Sequence, residues 1–174
     1  LLDEIKNNKL TFKLTPQEQN HIKFLKKKQI LKYILYRYVF KEYSKKKIST
    51  KFPIYILIEP VSSCNLKCPM CFQSDSTFIK KEFMGKMNIN LYKKIIDEAH
   101  DNGTCAITFG SRGEPTIHPQ FIEFLDYLKE KFLDVKLITN ATKLSDKLIH
   151  KIFSSKINQV SFSIDSEDKK TYEE

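Results

Sequence analysis

Three cysteines, Cys64, Cys68 and Cys71, fall within eight residues of a chain that has four. Their spacing is Cys-x-x-x-Cys-x-x-Cys. Thiolates gathered this way bind soft metals: zinc, copper(I) or iron–sulfur clusters. They are too close in sequence to staple separate elements, so metal-bound thiolates in a reducing cytoplasm fit better than a disulfide framework. A structural zinc wants four ligands in closed geometry, and only three are local. Cys105 or His118 could complete that set only through the fold. A cubane cluster normally takes four thiolates, and three would leave one iron free to hold a substrate or cofactor.

Such a loop needs elements to hold it. Ile54–Ile58 is a continuous apolar run that predicts a strand covered on both faces, with the cysteine loop at its carboxyl end. Residues 88–102 form an amphipathic helix with Leu91, Ile95, Ile96 and Ala99 inward and Gly103 as its stop. A second strand covers Cys105–Phe109. A second helix runs over Pro119–Phe132, with Phe121, Phe124, Leu125 and Leu128 inward. A third strand spans Val135–Thr139, and a third helix Ser145–Ser154 with Ser145 or Asp146 as cap. A fourth strand, Gln159–Asp165, alternates Val160, Phe162 and Ile164 with serines. Strand and helix alternate four times, which implies right-handed βαβ units and a parallel α/β sheet. Four strands cannot close an eight-stranded barrel, and a further helix should begin at the end of the chain. The chain therefore reads as the N-terminal portion of a barrel.

Ligands in parallel α/β sheets bind at the carboxyl ends of strands. The distinctive residues collect there: the cysteine loop after the first strand, Gly110-Ser111-Arg112-Gly113-Glu114-Pro115 after the second, Asn140-Ala141-Thr142 after the third, and Ser163 and Asp165 at the end of the fourth. Loops that only connect have no reason to gather thiols, a Gly-Glu-Pro turn and small polar residues on one rim. The structural alternatives are plain. Cys105 opens a buried strand and reads as a small core hydrophobe. His118 reads as a hydrogen-bonding turn residue, Glu114 could cap the next helix, Asp165 could simply end its strand, and Asn140 and Thr142 could build a turn.

Charge separates the chain into two parts. Residues 1–51 carry 14 Lys/Arg and 4 Asp/Glu, a net +10, while residues 52–174 carry 16 and 17, a net −1. Residues 1–51 are expected to be a basic helical leader. Thr15-Pro16-Gln17-Glu18 is a capped start for a helix running to about Ser44. Its aromatic-rich stretch Ile30–Phe40 should pack on the following domain or meet a partner or membrane surface. Residues 45–51 read as a linker. Only two of the 30 basic residues are Arg, which argues against nucleic-acid recognition. An RNA contact through the leader, as in a tRNA-modifying enzyme, is the alternative it would serve. Hydrophobic residues at 41% and charged residues at 29% imply a soluble globular class. No apolar run reaches the roughly 18 residues of a spanning helix, and no signal peptide opens the chain.

Cys64-Asn65-Leu66-Lys67-Cys68-Pro69-Met70-Cys71 resembles the cluster loop of the radical S-adenosylmethionine (radical SAM) enzymes. Gly113-Glu114-Pro115 is similar to that family's Gly-Glu-Pro motif, and Thr139–Thr142 and Ser161–Asp165 to its third- and fourth-strand motifs. The resemblance runs from about Ile54 to the end of the chain and leaves the leader unmatched. It implies a partial (β/α)6 barrel over residues 52–174, of which four strands are present. It also implies a [4Fe-4S] cluster on Cys64, Cys68 and Cys71, with S-adenosylmethionine chelating the fourth iron. Reductive cleavage would yield a 5′-deoxyadenosyl radical that takes hydrogen from substrate. Glu114 would accept a hydrogen bond from the cofactor ammonium, Gly113 would be a cofactor-binding residue beside it, and Ser163 and Asn140 would meet the cofactor's ribose or carboxylate. A reductant such as flavodoxin or ferredoxin would be the partner. Two positions depart from the family pattern: Met70 where an aromatic residue often precedes the third cysteine, and Arg112 where Gly is common. Arg112 could instead meet a carboxylate or phosphate of substrate. The loop, Gly85-Lys86-Met87 and the Gly-Glu-Pro turn are most similar to members with a C-terminal SPASM-type auxiliary-cluster domain, which implies a peptide or small-metabolite substrate. The competing reading is a zinc-stabilised α/β binding module without catalysis.

Overall fold

The structure, a computed structural model, describes residues 12–173. The chain divides into two compact units, Leu1–Ile54 and Tyr55–Glu174.

The first unit is helical, but the single long helix expected from Thr15 is two. Helix α1 spans Pro16–Ile22 and α2 spans Lys27–Tyr38, continuing into a π-helical turn at Val39–Tyr43. The start is as expected: Thr15 Oγ1 accepts from the Glu18 amide at 3.3 Å, and Glu18 Oε2 accepts from the Thr15 amide at 2.7 Å. The chain then turns, and Gln29 Oε1 takes the Lys26 amide at 3.0 Å to start α2. The break has a clear physical reason. In one straight helix Glu18 and Arg37 would stand about 28 Å apart at 1.5 Å per residue. Folding back puts Arg37 Nε 2.6 Å from Glu18 Oε1 and Lys41 Nζ 2.7 Å from Oε2. It also brings the His21 and Tyr33 rings to 4.6 Å.

The second unit is a four-stranded, all-parallel sheet in the order β1-β2-β3-β4, with β1 Tyr55–Ile58, β2 Ala106–Phe109, β3 Asp134–Thr139 and β4 Gln159–Phe162. The crossovers carry α3 (Ile89–Asp101), α4 (Phe121–Leu128) and α5 (Asp146–Ser154), and α6 (Lys169–Glu173) follows β4. Two of these helices start at side-chain caps. Asn88 Oδ1 caps α3 through the Asn90 amide at 2.8 Å, and Ser145 Oγ caps α5 through the Leu148 amide at 3.3 Å. Gly103, at φ +85°, ends the α3 segment in a conformation L side chains rarely adopt.

The core lies between the sheet and these helices. Phe121, Phe124, Leu125 and Leu128 are buried on α4 as the sequence predicts. On α3 the inward face differs. Tyr92, Ile96 and Ala99 are buried while Leu91 is half exposed. Tyr92 sets the rotation: its ring stacks on Phe124 at 4.1 Å and its hydroxyl donates to the Phe124 carbonyl at 3.0 Å. Such a pair contributes about 0.5–1.5 kcal/mol beyond area burial. The strand covered on both faces is β2 rather than β1, because β2 lies inside the sheet while β1 is an edge that leaves Leu57 half exposed. Pairing of β4 stops at Phe162, three residues short of the predicted end, and leaves Phe162 and Ile164 exposed beside β3, the one strand that β4 pairs with among the described residues. Among the described residues no helix is long and apolar enough to cross a membrane.

Candidate functional site

Parallel register brings the carboxyl ends of the strands to one rim, Ile58 opposite Phe109 and Thr139 opposite Phe162. The cysteine loop leaves this rim through a narrow neck. The Met87 amide donates to the Pro60 carbonyl at 2.7 Å and the Ser62 amide to the Gly85 carbonyl at 3.0 Å, beside a bridge between Val61 and Lys86. Residues 63–84 are thus an excursion pinned at its base. Inside it, the Cys71 amide donates to the Cys68 carbonyl at 2.9 Å, and Ser74 Oγ to the same carbonyl at 2.7 Å.

The loop after β2 presses against this neck. A Cβ placed on Gly113 would lie 1.8 Å from the Val61 carbonyl oxygen and 2.7 Å from that of Ser63. Only glycine fits, and the reason is backbone contact between two rim loops. The next residue completes the contact: the Glu114 amide donates to the Ser63 carbonyl at 3.0 Å.

Glu114 is buried, and its carboxylate joins three segments. Oε1 accepts from the Thr116 amide at 3.0 Å, Thr116 Oγ1 at 2.6 Å and Thr139 Oγ1 at 2.7 Å, while Oε2 accepts from the Asn140 amide at 2.7 Å. The capping role is therefore present, but it is one part of a clamp between the ends of β2 and β3. All four donors are uncharged. Oε2 holds one of them and keeps acceptor capacity for another.

Asn140 carries the clamp onward to the cysteines. Its Nδ2 donates to Asn65 Oδ1 at 3.1 Å and approaches Cys64 Sγ at 3.6 Å. Its Oδ1 accepts from the Thr142 amide at 3.1 Å and Thr142 Oγ1 at 2.8 Å, and Asn65 Nδ2 closes the ring on Thr142 Oγ1 at 2.7 Å. Beside it a cavity of ≈ 420 Å³ is lined by Asn140, Ala141, Thr142, Ile164, Asp168 and Tyr172, among others, within the roughly 300–1,000 Å³ of small-molecule sites.

The three loop thiols are free and half-buried. Partial burial first, then the Asp165 carboxylate and the Cys64 and Cys71 thiols, push the Cys68 thiol above its ordinary range. Among the described residues no three His, Cys, Asp or Glu side chains converge closely enough to hold a single metal ion. One tetrahedral zinc with bonds of about 2.3 Å would need its sulfurs within about 3.8 Å of each other. A cubane has no such requirement, since each thiolate takes a different iron. The donor set fits a cluster with one iron left open.

The remaining candidates separate cleanly. Cys105 is buried at the amino end of β2, with Sγ 3.4 Å from the Gly103 carbonyl, at the opposite end of the sheet from the cysteine loop. His118 is structural: Nδ1 accepts the Gln120 amide at 3.2 Å, which leaves Nε2–H to donate to the Met87 carbonyl at 3.1 Å. Burial lowers its pKa and keeps the ring neutral. Arg112 has an internal partner, with Nε and Nη2 reaching the Glu59 carboxylate at 3.0 and 2.7 Å. Burial would raise the Glu59 carboxyl, but the Arg112 side-chain and backbone donors outweigh it and hold it below its ordinary range. Ser163 is exposed, and its amide donates to the Thr139 carbonyl at 2.9 Å. Met70 and Phe72 are exposed, and the Phe72 ring meets Phe78 edge-on at 5.6 Å. Sequence reasoning gave no role to Asn65 or Glu59. Each had a signal: a carboxamide between two candidate ligands, and an acid directly after an apolar strand.

Residues 58–174 match the Radical SAM superfamily, more than half of the chain, and the chain belongs to it. A curated relative, the tungsten-containing aldehyde ferredoxin oxidoreductase cofactor-modifying protein of Pyrococcus furiosus, is 33% identical over 112 residues, covering 64% of this chain and 30% of that protein. The antilisterial bacteriocin subtilosin biosynthesis protein AlbA of Bacillus subtilis is 36% identical over 118 residues, covering 66% of this chain and 25% of AlbA. The chain thus spans between a quarter and a third of these two relatives. Among solved structures, Streptococcus suis SuiB bound to S-adenosylmethionine superposes with a TM-score of 0.61 at 19% identity, over 98% of this chain and 36% of SuiB. SuiB bound to its precursor peptide SuiA gives 0.61 at 20%, over 98% and 38%. The α/β fold is that of the radical SAM partial barrel.

Proposed function

We propose that this chain is the cofactor-binding part of a radical SAM enzyme, with Cys64, Cys68 and Cys71 holding three irons of a [4Fe-4S] cluster and the fourth iron left for S-adenosylmethionine. The observation that carries this is the linkage of the cysteine loop to the ends of β2 and β3, through Gly113, Glu114 and Asn140. When bound, the reduced cluster supplies the electron that cleaves the cofactor sulfonium and starts hydrogen abstraction from substrate. Glu114 would offer its remaining Oε2 capacity to the cofactor ammonium, a charge-assisted contact. Gly113 would hold that carboxylate against the loop, and the exposed Ser163 hydroxyl would face the ribose or carboxylate. The leader, residues 1–51, is a separate domain in this reading. A flavodoxin or ferredoxin would supply electrons in the cytoplasm. We favour a peptide substrate, on the likeness to AlbA and to SuiB, whose structure contains a precursor peptide.

Anaerobic reconstitution with iron and sulfide tests the proposal. The protein should turn brown, bind S-adenosylmethionine, and release methionine and 5′-deoxyadenosine when dithionite is added. A colourless protein that takes up one zinc per chain would contradict it.

A further inference from the structure

The three cysteines are not equivalent. Cys64 Sγ has two N–H groups near it, the Leu66 amide at 3.4 Å and Asn140 Nδ2 at 3.6 Å. The Cys68 sulfur has its own backbone amide as a donor, and among the described residues no donor from another element reaches the sulfur of Cys68 or Cys71. One donor on Cys64 is local to its own turn. The other comes from the end of β3, 76 residues away.

The orientation of that second donor is fixed. The Thr142 backbone amide can only donate, so the atom it meets on Asn140 must be the oxygen. Thr142 Oγ1 shares that oxygen and Asn65 completes the ring. Nδ2 is thereby turned toward the cysteine loop. The Asn140 backbone is held as well, by the buried Glu114 carboxylate at 2.7 Å. A side chain anchored at both ends loses little further freedom when it meets a sulfur.

Hydrogen bonds to ligating sulfurs tune a cluster's potential. A donor withdraws electron density from the thiolate and favours the more negatively charged, reduced state. We propose that Asn140 is a positioning residue that donates to Cys64 Sγ and raises the reduction potential of the cluster. This rests on the reading of Cys64 as a cluster ligand. It assigns Asn140 to the cluster rather than to the ribose or carboxylate of S-adenosylmethionine.

The test is the midpoint potential of the reconstituted whole protein without S-adenosylmethionine, in wild type, Asn140→Asp and Thr142→Val. Aspartate keeps the oxygen that Thr142 needs and replaces the donor by a carboxylate oxygen. Its one-electron equilibrium should move at least tenfold toward the oxidised cluster, about 60 mV more negative at 59 mV per tenfold. Thr142→Val should move it in the same direction by less, since Asn140 loses the Thr142 hydroxyl but keeps the Thr142 backbone amide on Oδ1 and Asn65 Oδ1 on Nδ2. Equal iron and sulfide content with an unchanged potential in Asn140→Asp overturns the proposal. Should that variant fail to take up a cluster, wild-type protein carrying 15N in its asparagine side chains decides. A nitrogen hyperfine coupling to the reduced cluster is expected, and its absence overturns the proposal. A wild-type protein that holds no cluster defeats the underlying reading instead.

Discussion

Glu18 and Glu114 are the two buried acidic residues among the described residues, and they are stabilised in opposite ways. Glu18 has cations: Arg37 at 2.6 Å and Lys41 at 2.7 Å, with the Thr15 amide beside them. Burial alone would raise its carboxyl, but the Lys41 and Thr15 hydrogen bonds and the Arg37 charge offset this and hold it below its ordinary 4.5. Glu114 is held only by uncharged donors. The first carboxylate is neutralised within its own unit and has a structural task, drawing α1 and α2 together. The second stands on the strand rim with no cation against it among the described residues, and its Oε2 has room for one more donor. A buried acid matched with its own cations reads as architecture, and one matched with amides and hydroxyls reads as a prepared site.

The largest way to break this contrast is to displace Glu114 without touching it. Gly113→Ala puts a methyl group within 1.8 Å of the Val61 carbonyl oxygen, so the rim loops must part. The expected loss is about 3 kcal/mol or more, the upper end for overpacking, read from denaturant unfolding, together with failure to hold a cluster. Glu114→Gln is next. Its amide nitrogen would confront either the Asn140 amide or the three donors on Oε1, so a buried donor loses its acceptor. Stability should fall by about 1.5–3 kcal/mol, and S-adenosylmethionine affinity roughly ten- to hundredfold, with the iron content unchanged. Calorimetric titration beside a melting curve checks both. A stability loss with unaltered affinity would leave Glu114 a clamp only.

Glu18→Gln should have the smallest effect, about 1–3 kcal/mol, between exposed and fully buried pairs. Hydrogen exchange should report it in α1 and α2 alone. Its pH dependence has a definite sign. A carboxyl whose folded pKa lies below 4.5 contributes stability that is full above that pH and lost as pH falls through the folded value. The glutamine variant should lack that part of the acid limb. Cofactor affinity should not change.

The sequence showed the sheet, its helices and the rim well, because parallel strands and amphipathic crossovers follow from local pattern. The three cysteines stood out by their spacing, and the Gly-Glu-Pro turn by its place at the end of a predicted strand. What pattern could not show was which atoms meet. Gly113 read as a cofactor contact, and its glycine is required by the Val61 and Ser63 carbonyls, residues some fifty positions away. Arg112 read as a group for substrate and is paired with Glu59. The leader read as one helix because Glu18 and Arg37 attract only after the chain folds back. Tyr92 was missed on α3 because a tyrosine enters a core only when its hydroxyl has an acceptor, here the Phe124 carbonyl.

The central claim is that three thiols of one loop, and not the fourth cysteine, hold an iron–sulfur cluster. The most direct measurement is iron and acid-labile sulfide per chain after anaerobic reconstitution of wild type and of Cys64→Ala, Cys68→Ala, Cys71→Ala and Cys105→Ala. The account predicts the content and visible absorption of a [4Fe-4S] cluster in wild type and in Cys105→Ala, and their loss in each of the other three. Full iron and sulfide in Cys68→Ala, or their loss in Cys105→Ala, would contradict it.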